Sequence, residues 1–215
     1  MNKRPKYMVV EGPIGVGKTS LARRLAEHYG CDLVLEQADE NPFLERYYRD
    51  PRQYALPTQL FFLFQRAQQL RELHQSDLFN PVRVADFLLE KDSLFAELTL
   101  EPDELNLYQQ TYRHLAVNAP APDLVVYLQA PVDVLMRRIE KRGIAYEQQI
   151  EQRYLERLTD AYARLFHNYD RSPLLIVNAT QINPVDNDAD FAQLVKAIES
   201  AGSGRQYFNP VPDFV

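Results

Sequence analysis

Glu11-Gly12-Pro13-Ile14-Gly15-Val16-Gly17-Lys18-Thr19-Ser20 decides the fold. The apolar run Tyr7-Met8-Val9-Val10 precedes it, and Leu21, Ala22, Leu25, Ala26 and Tyr29 follow at helical spacing, so the stretch joins a strand to a helix. Gly12, Gly17, Lys18 and Thr19 match the pattern G-x-x-x-x-G-K-[ST], with Gly15 as a further glycine where backbone passes close to an anion. This is a P-loop in its proper setting. Successive N–H groups converge on phosphate, the helix starting near Lys18 adds the positive end of its dipole, Lys18 reaches the β/γ-phosphates and Thr19 offers a hydroxyl to Mg²⁺. The whole run from Gly12 to Ser20, with Pro13, Ile14 and Val16 between the glycines, is the expected loop for a nucleotide triphosphate.

At 215 residues, the chain has the length of one domain, and nothing in it asks for a second. Apolar residues make up 46% and charged residues 25%, as in ordinary globular proteins, and no apolar run is long enough to span a membrane. No apolar signal region follows the basic residues 1–6, so a cytoplasmic location is expected. A formal net charge of -6 opposes broad binding to nucleic acid, which requires a basic surface. Cys31 has no partner for an internal disulfide, and the four histidines lack ligand-like spacing, so no structural metal site is expected. The tail from Gly202-Ser203-Gly204 to residue 215 is expected to be poorly ordered.

Taken in order, Leu33-Val34-Leu35-Glu36 reads as a second strand closing on a carboxylate. In an open parallel sheet, that end faces the ligand crevice; the plainer reading of Glu36 is a solvated strand terminus. Phe43, Leu44, Tyr47 and Tyr48 lead to Asp50-Pro51, and a long helix is expected from about Pro57 through Leu60, Phe61, Leu63, Phe64, Ala67, Leu70 and Leu73, apolar on more than one side. Gln59 and Arg66, two turns apart, share one face of it. They require either a planar heterocycle or an internal carboxylate as partner.

Val82-Arg83-Val84-Ala85-Asp86 is the third strand, and its terminal acid suits Mg²⁺. Asp92, Phe95 and Ala96 fall in a helix within residues 87–100, where Phe95 taken alone reads as core. Residues 103–118 form another, with Leu105, Leu107, Tyr108, Tyr112, Leu115 and Ala116 inward. The run from Asp123 to Gln129 is the fourth strand, and Pro131 opens a helix ending in the basic cluster Arg137-Arg138-Ile139-Glu140-Lys141-Arg142-Gly143. Such a run reads either as a solvated face or as a lid over transferring phosphates, spanning about residues 137–148. A long helix from Glu147 to Tyr169, the fifth strand Leu174-Leu175-Ile176-Val177-Asn178 and a last helix over residues 191–200 complete the alternation. The fold class is α/β, with five strands in a mainly parallel sheet and helices on both faces.

Together these residues resemble the deoxynucleoside kinases, notably bacterial deoxyadenosine and deoxyguanosine kinases and deoxycytidine kinase, over residues 6–200. The features carrying the resemblance are the P-loop start, Glu36, Tyr48 with Pro51 ahead of Gln59 and Arg66, and the later series Tyr127-Leu128-Gln129-Ala130-Pro131, Arg138, Arg142-Gly143, Glu147, Ile150 and Tyr154-Leu155. The resemblance implies a single P-loop kinase domain over residues 1–215, its five parallel strands in the order 2-3-1-4-5, that moves the γ-phosphoryl group of ATP, with Mg²⁺, to the 5′-hydroxyl of a deoxynucleoside. It makes Glu36 the general base, sets Tyr48 and Glu147 on the sugar 3′-hydroxyl, and places Gln59, Arg66 and Phe95 at the base, with Asp92 near. Lys18, Arg138 and Arg142 would cradle the phosphoryl group, Asp186-Asn187-Asp188 would border the adenine, and Thr19 with Asp86 would serve the metal. Purine deoxynucleosides rank first and deoxycytidine next.

A homodimer through the 57–73 and 103–118 helices is also implied. Two departures stand out: Ala85-Asp86-Phe87 where many members have Glu-Arg-Ser, and Ile144 where some have a further lid arginine. The alternatives kept open are a thymidylate-type monophosphate kinase and a non-catalytic nucleotide-binding subunit.

Overall fold

The apolar run ahead of the glycine-rich loop forms β1 (Tyr7–Glu11) at the centre of a sheet in the computed structural model, which describes residues 5–75, 82–115, 120–180 and 182–209. On one side β1 pairs with β3 (Arg83–Ala85), and β3 with β2 (Asp32–Val34). On the other it pairs with β4 (Leu124–Gln129), followed by β5 (Leu174–Asn178) and β6 (Arg205–Phe208). All pairings are parallel, and the order is β2-β3-β1-β4-β5-β6. Successive residues Met8, Val9 and Val10 point to opposite faces and are all buried, so both faces of the central strands are covered.

The helices are α1 (Lys18–Tyr29), α2 (Leu44–Arg49), α3 (Pro51–Gln75), α4 (Lys91–Thr99), α5 (Pro102–Leu115), α6 (Val132–Arg142), α7 (Gln152–His167) and α8 (Asp188–Ser200). One core cluster joins the strands to α1, α6, α7 and α8; a second gathers Leu63, Leu70, Phe87, Leu89, Ala96 and Tyr108 from α3, α4, α5 and the turn after β3. The alternation of strand and helix thus puts the carboxyl ends of β1, β2 and β3 at one edge, where the glycine-rich loop opens.

Several boundaries differ from the sequence expectation. The sheet has a sixth strand: Arg205–Phe208, in the tail expected to be poorly ordered, pairs with the otherwise open edge of β5. Unpaired N–H and C=O groups of β5 offer a template there. Gln206 and Phe208 are half-buried between exposed Arg205 and Tyr207, and Arg205 donates to the Phe166 and His167 carbonyls at 2.9 and 2.7 Å.

The long helix begins at Pro51 rather than near Pro57. Asp50 starts it, accepting from the Gln53 N–H at 3.3 Å through its side chain and from Tyr54 at 3.2 Å through its carbonyl. Pro57 then costs only the bond to the Gln53 carbonyl, on an exposed residue that water can serve.

The helix expected from Glu147 to Tyr169 is broken. Ala145–Gln149 is a 3₁₀ turn, Ile150 and Glu151 are extended, and α7 starts at Gln152. Phe64 and Leu107, expected inward, are each 51% exposed. The expected helical residues 116–118, the Leu73 side chain, residues 1–4 and the tail from residue 210 lie outside the described residues.

Candidate active site

The loop from Gly12 to Gly17 takes a path that its glycines make available. Gly15 has φ 84°, and a Cβ there would lie 2.9 Å from the Leu135 carbonyl oxygen, so neither backbone strain nor space admits a side chain. Gly17, at φ 103°, caps α1 and turns the chain into it. The Gly12 N–H is already engaged by Glu11 Oε1 at 2.9 Å, and Lys18 Nζ folds back onto the Pro13 carbonyl at 3.3 Å. Burial, then the nearby Lys91 cation, push the Lys18 ammonium below its ordinary range, while Glu11, Glu36 and Asp86 act in the opposite direction.

Asp86, just past β3, joins this loop to the second strand's end. Its Oδ2 accepts from the Thr19 hydroxyl at 2.5 Å and its Oδ1 from the Glu36 N–H at 2.7 Å. A hydroxyl and a carboxylate side by side at a P-loop are hard oxygen donors of the kind Mg²⁺ takes, so the residues present fit that ion.

Glu36 stands two residues beyond β2, and its position is over-determined. Gln69 of α3 donates to the Leu35 carbonyl at 2.8 Å, and Arg66 Nε donates to Glu36 Oε1 at 2.7 Å, with Nη2 also on that oxygen. Lys91 Nζ lies 3.3 Å from Glu36 Oε2. Burial alone would raise this carboxyl, but Arg66, Lys91 and Lys18 outweigh it and bring it down to about 2. Of the two readings of Glu36, the solvated terminus is therefore set aside.

For Arg66, the internal-carboxylate reading describes the geometry: it pairs with both Glu36 and the fully buried Asp92. Its guanidinium carbon also lies 4.9 Å from the Phe62 ring centroid.

One cavity collects most of the residues singled out by sequence. Lys18, Thr19, Glu36, Tyr48, Gln59, Arg66, Asp86, Phe95, Arg142 and Glu147 line it. Asp92 stands behind Arg66 and does not. Tyr48 stacks on Tyr146 at 5.7 Å, and its hydroxyl is pushed well up by burial and by Glu147. Phe95 meets Tyr162 edge-on at 6.2 Å. Arg142, at the end of α6, pairs with Glu147 across the turn opened by Gly143.

A second groove runs along Gly15 to Ser20, Arg138, Arg142 and Asp186. Within it Arg138 donates to the Val16 and Ala179 carbonyls at 3.2 and 2.9 Å, so its charge braces the loop against the end of β5. Of the expected adenine border, only Asp186 lines the groove. Asn187 caps α8, accepting from the Ala189 and Asp190 N–H groups at 2.8 and 3.1 Å, and Asp188 pairs with Arg24.

Sequence reasoning gave no role to Glu11, Lys91 or Tyr162, all of which are buried here. One signal was available for Lys91. A lysine at the first position of a helix faces the positive end of the dipole and needs a reason to be there.

A family model described as deoxynucleoside kinase matches residues 8–201. The chain belongs to the deoxynucleoside kinase family. The kinase is 33% identical over 207 residues to a deoxyguanosine kinase of Bacillus subtilis, covering 93% of this chain and 98% of that one. It is 30% identical over 208 residues to a deoxyadenosine kinase of Lactobacillus acidophilus, covering 90% and 95%. In fold it superposes on a deoxyadenosine kinase from M. mycoides solved with bound dATP, at a TM-score of 0.78 and 24% identity, over 91% of this chain and all of that one.

Family membership makes the kinase a phosphotransferase acting on a hydroxyl acceptor, and sets aside the monophosphate-kinase and non-catalytic readings. No helix among its described residues is long and apolar enough to cross a membrane.

Proposed function

We propose that this kinase transfers the γ-phosphoryl group of ATP to the 5′-hydroxyl of a purine deoxynucleoside, accepting deoxycytidine less well. The observation carrying this reading is the continuity of one cavity from Lys18 and Thr19, through Glu36, to Gln59, Arg66 and Phe95. In this reading the triphosphate's end and the acceptor's base share that space. The curated relatives named for deoxyguanosine and deoxyadenosine point to the same choice of base.

In this reading Glu36 takes the proton of the 5′-hydroxyl as its oxygen joins the γ-phosphorus and the bond from that phosphorus to the β,γ-bridging oxygen breaks, releasing ADP. Lys18 meets the charge of the phosphoryl oxygens, with Arg142 and Arg138 closing from α6. Arg138 has first to exchange the Val16 and Ala179 carbonyls for phosphate oxygens. Thr19 and Asp86 would hold Mg²⁺, which when bound neutralises charge on the β- and γ-phosphates. Tyr48 and Glu147 hold the 3′-hydroxyl, Gln59 reads the base edge, Phe95 stacks on the base, and Asp92 fixes Arg66 beside it. Asp186 borders the ATP adenine, with Asn187 and Asp188 shaping that loop.

The partners are thus a deoxynucleoside and ATP. A second copy of the chain is the third, seated on the exposed Phe64 and Leu107 of the adjoining helices α3 and α5. The cytoplasm, the location expected from the sequence, belongs to the same reading.

An assay of ADP formation with the four deoxynucleosides, their ribo counterparts and the monophosphates, with ATP or GTP as donor, tests this. Deoxyadenosine or deoxyguanosine with ATP is expected to give the highest kcat/KM. Preference for thymidine, or for any ribonucleoside, would refute the substrate choice.

A further inference from the structure

Lys91 is 2% exposed and opens α4, where the helix dipole opposes a cation. A buried ammonium persists in such a place only when carboxylates and hydrogen bonds compensate it. Two carboxylates do so: Glu36 Oε2 at 3.3 Å and Glu11 Oε2 at 3.6 Å.

These two partners differ in freedom. Glu11 is fully buried and held on every side: its Oε1 accepts from the Gly12 N–H at 2.9 Å and the Tyr162 hydroxyl at 3.0 Å, and its Oε2 from the Leu88 N–H at 2.9 Å. Glu36 faces the acceptor cavity, with Oε1 taken by Arg66 and Oε2 touched by Lys91. Lys91 therefore links an immobile carboxylate to the one that must meet the acceptor. The hydrogen bonds of Arg66 fall on Glu36 Oε1, and that of Lys91 falls on Oε2.

We propose that Lys91 is a positioning residue: anchored by Glu11, it fixes Glu36 Oε2 and so sets the direction from which that carboxylate meets the acceptor hydroxyl. The inference rests on the reading of Glu36 as the base. It also supplies what the sequence lacks next to Asp86, where Phe87 is buried and offers no charge. The cation arrives from the first turn of the following helix.

Steady-state kinetics of the full chain with its best deoxynucleoside test this, using K91M, K91R, E36Q, E36Q/K91M and the charge-balanced E11Q/K91M, which leaves no buried Glu11 unpaired should K91M fold poorly. We expect K91M and E11Q/K91M to lose about 100-fold in kcat while the nucleoside KM moves less than about threefold, and K91R to recover to within about tenfold of wild type. Because Lys91 acts through Glu36, E36Q/K91M is expected to be no slower than E36Q. Wild-type kcat in K91M or E11Q/K91M, a K91R as slow as K91M, or multiplicative losses in E36Q/K91M would overturn the proposal. Full activity of E36Q would instead refute the base assignment on which it rests.

Discussion

The Thr19 hydroxyl and the Asp86 carboxylate meet at 2.5 Å, which ties the first turn of α1 to the end of β3. The same carboxylate receives the Glu36 N–H, so a single side chain aligns the phosphate loop with the proposed base. Asp86→Asn keeps the shape and removes the charge. It is expected to lower kcat on the order of 10²-fold and to raise the Mg²⁺ concentration needed for half-maximal rate, with nucleoside binding little changed. A Mg²⁺ titration of initial rates checks this; an unaltered Mg²⁺ requirement would contradict a metal role.

Glu36→Gln removes the proposed proton acceptor without changing size. Turnover is expected to fall about 10²- to 10⁴-fold while ATP still binds. Single-turnover rates and a separate ATP titration distinguish the two effects.

A carboxyl brought down to about 2 is ionised throughout the neutral range. Such a weak base suits a loose phosphoryl transfer in which the hydroxyl proton leaves late. No acid limb from Glu36 is therefore expected in kcat/KM between about pH 5 and 8. For stability the sign follows from a lowered folded-state pKa: Glu36 contributes fully above its ordinary value of 4.5, and the contribution is lost as pH falls toward about 2. Urea midpoints of wild type and Glu36→Gln should converge over that interval, and parallel curves would count against the assignment.

Arg66 is almost completely buried between Glu36 and Asp92. Arg66→Met leaves two carboxylates without their shared cation, at a cost of about 3–5 kcal/mol if neither takes up a proton. Denaturant unfolding at neutral pH measures it, and Arg66→Met/Asp92→Asn should recover part of the loss.

Phe64 and Leu107 expose apolar surface on adjoining helices. If that face seats a second copy, Phe64→Glu/Leu107→Glu should sediment as a monomer where wild type sediments as a dimer. A wild-type monomer at micromolar concentration would remove the dimer from the reading.

Much of this was legible in the chain itself. The glycine-rich loop is local in sequence and its chemistry is fixed by spacing, so Gly12 to Thr19 could be read directly. The five predicted strands are apolar runs of the right length, and their order, implied by the resemblance to P-loop kinases, is the observed one apart from the added β6. What escaped reading depends on contacts far apart in sequence. Arg205–Phe208 carries no strong strand signal and is ordered by the edge of β5. The break at Ile150 and Glu151 interrupts an amphipathic pattern that periodicity alone would continue. Lys91 resembles any solvated lysine until the fold brings Glu11, eighty residues earlier, against it. Arg138 looked like a free clamp because its carbonyl partners, Val16 and Ala179, lie on other elements.

The Arg142–Glu147 pair closes the turn between α6 and α7. If Glu147 is also the carboxylate that receives the sugar, then an arriving deoxynucleoside competes with Arg142 for it, and the arginine is released toward the phosphates only as the pocket fills. Water carries no 3′-hydroxyl and cannot make that exchange. On that assignment the ion pair would work as a safety catch against idle hydrolysis of ATP, coupling occupancy of one subsite to the arming of the other.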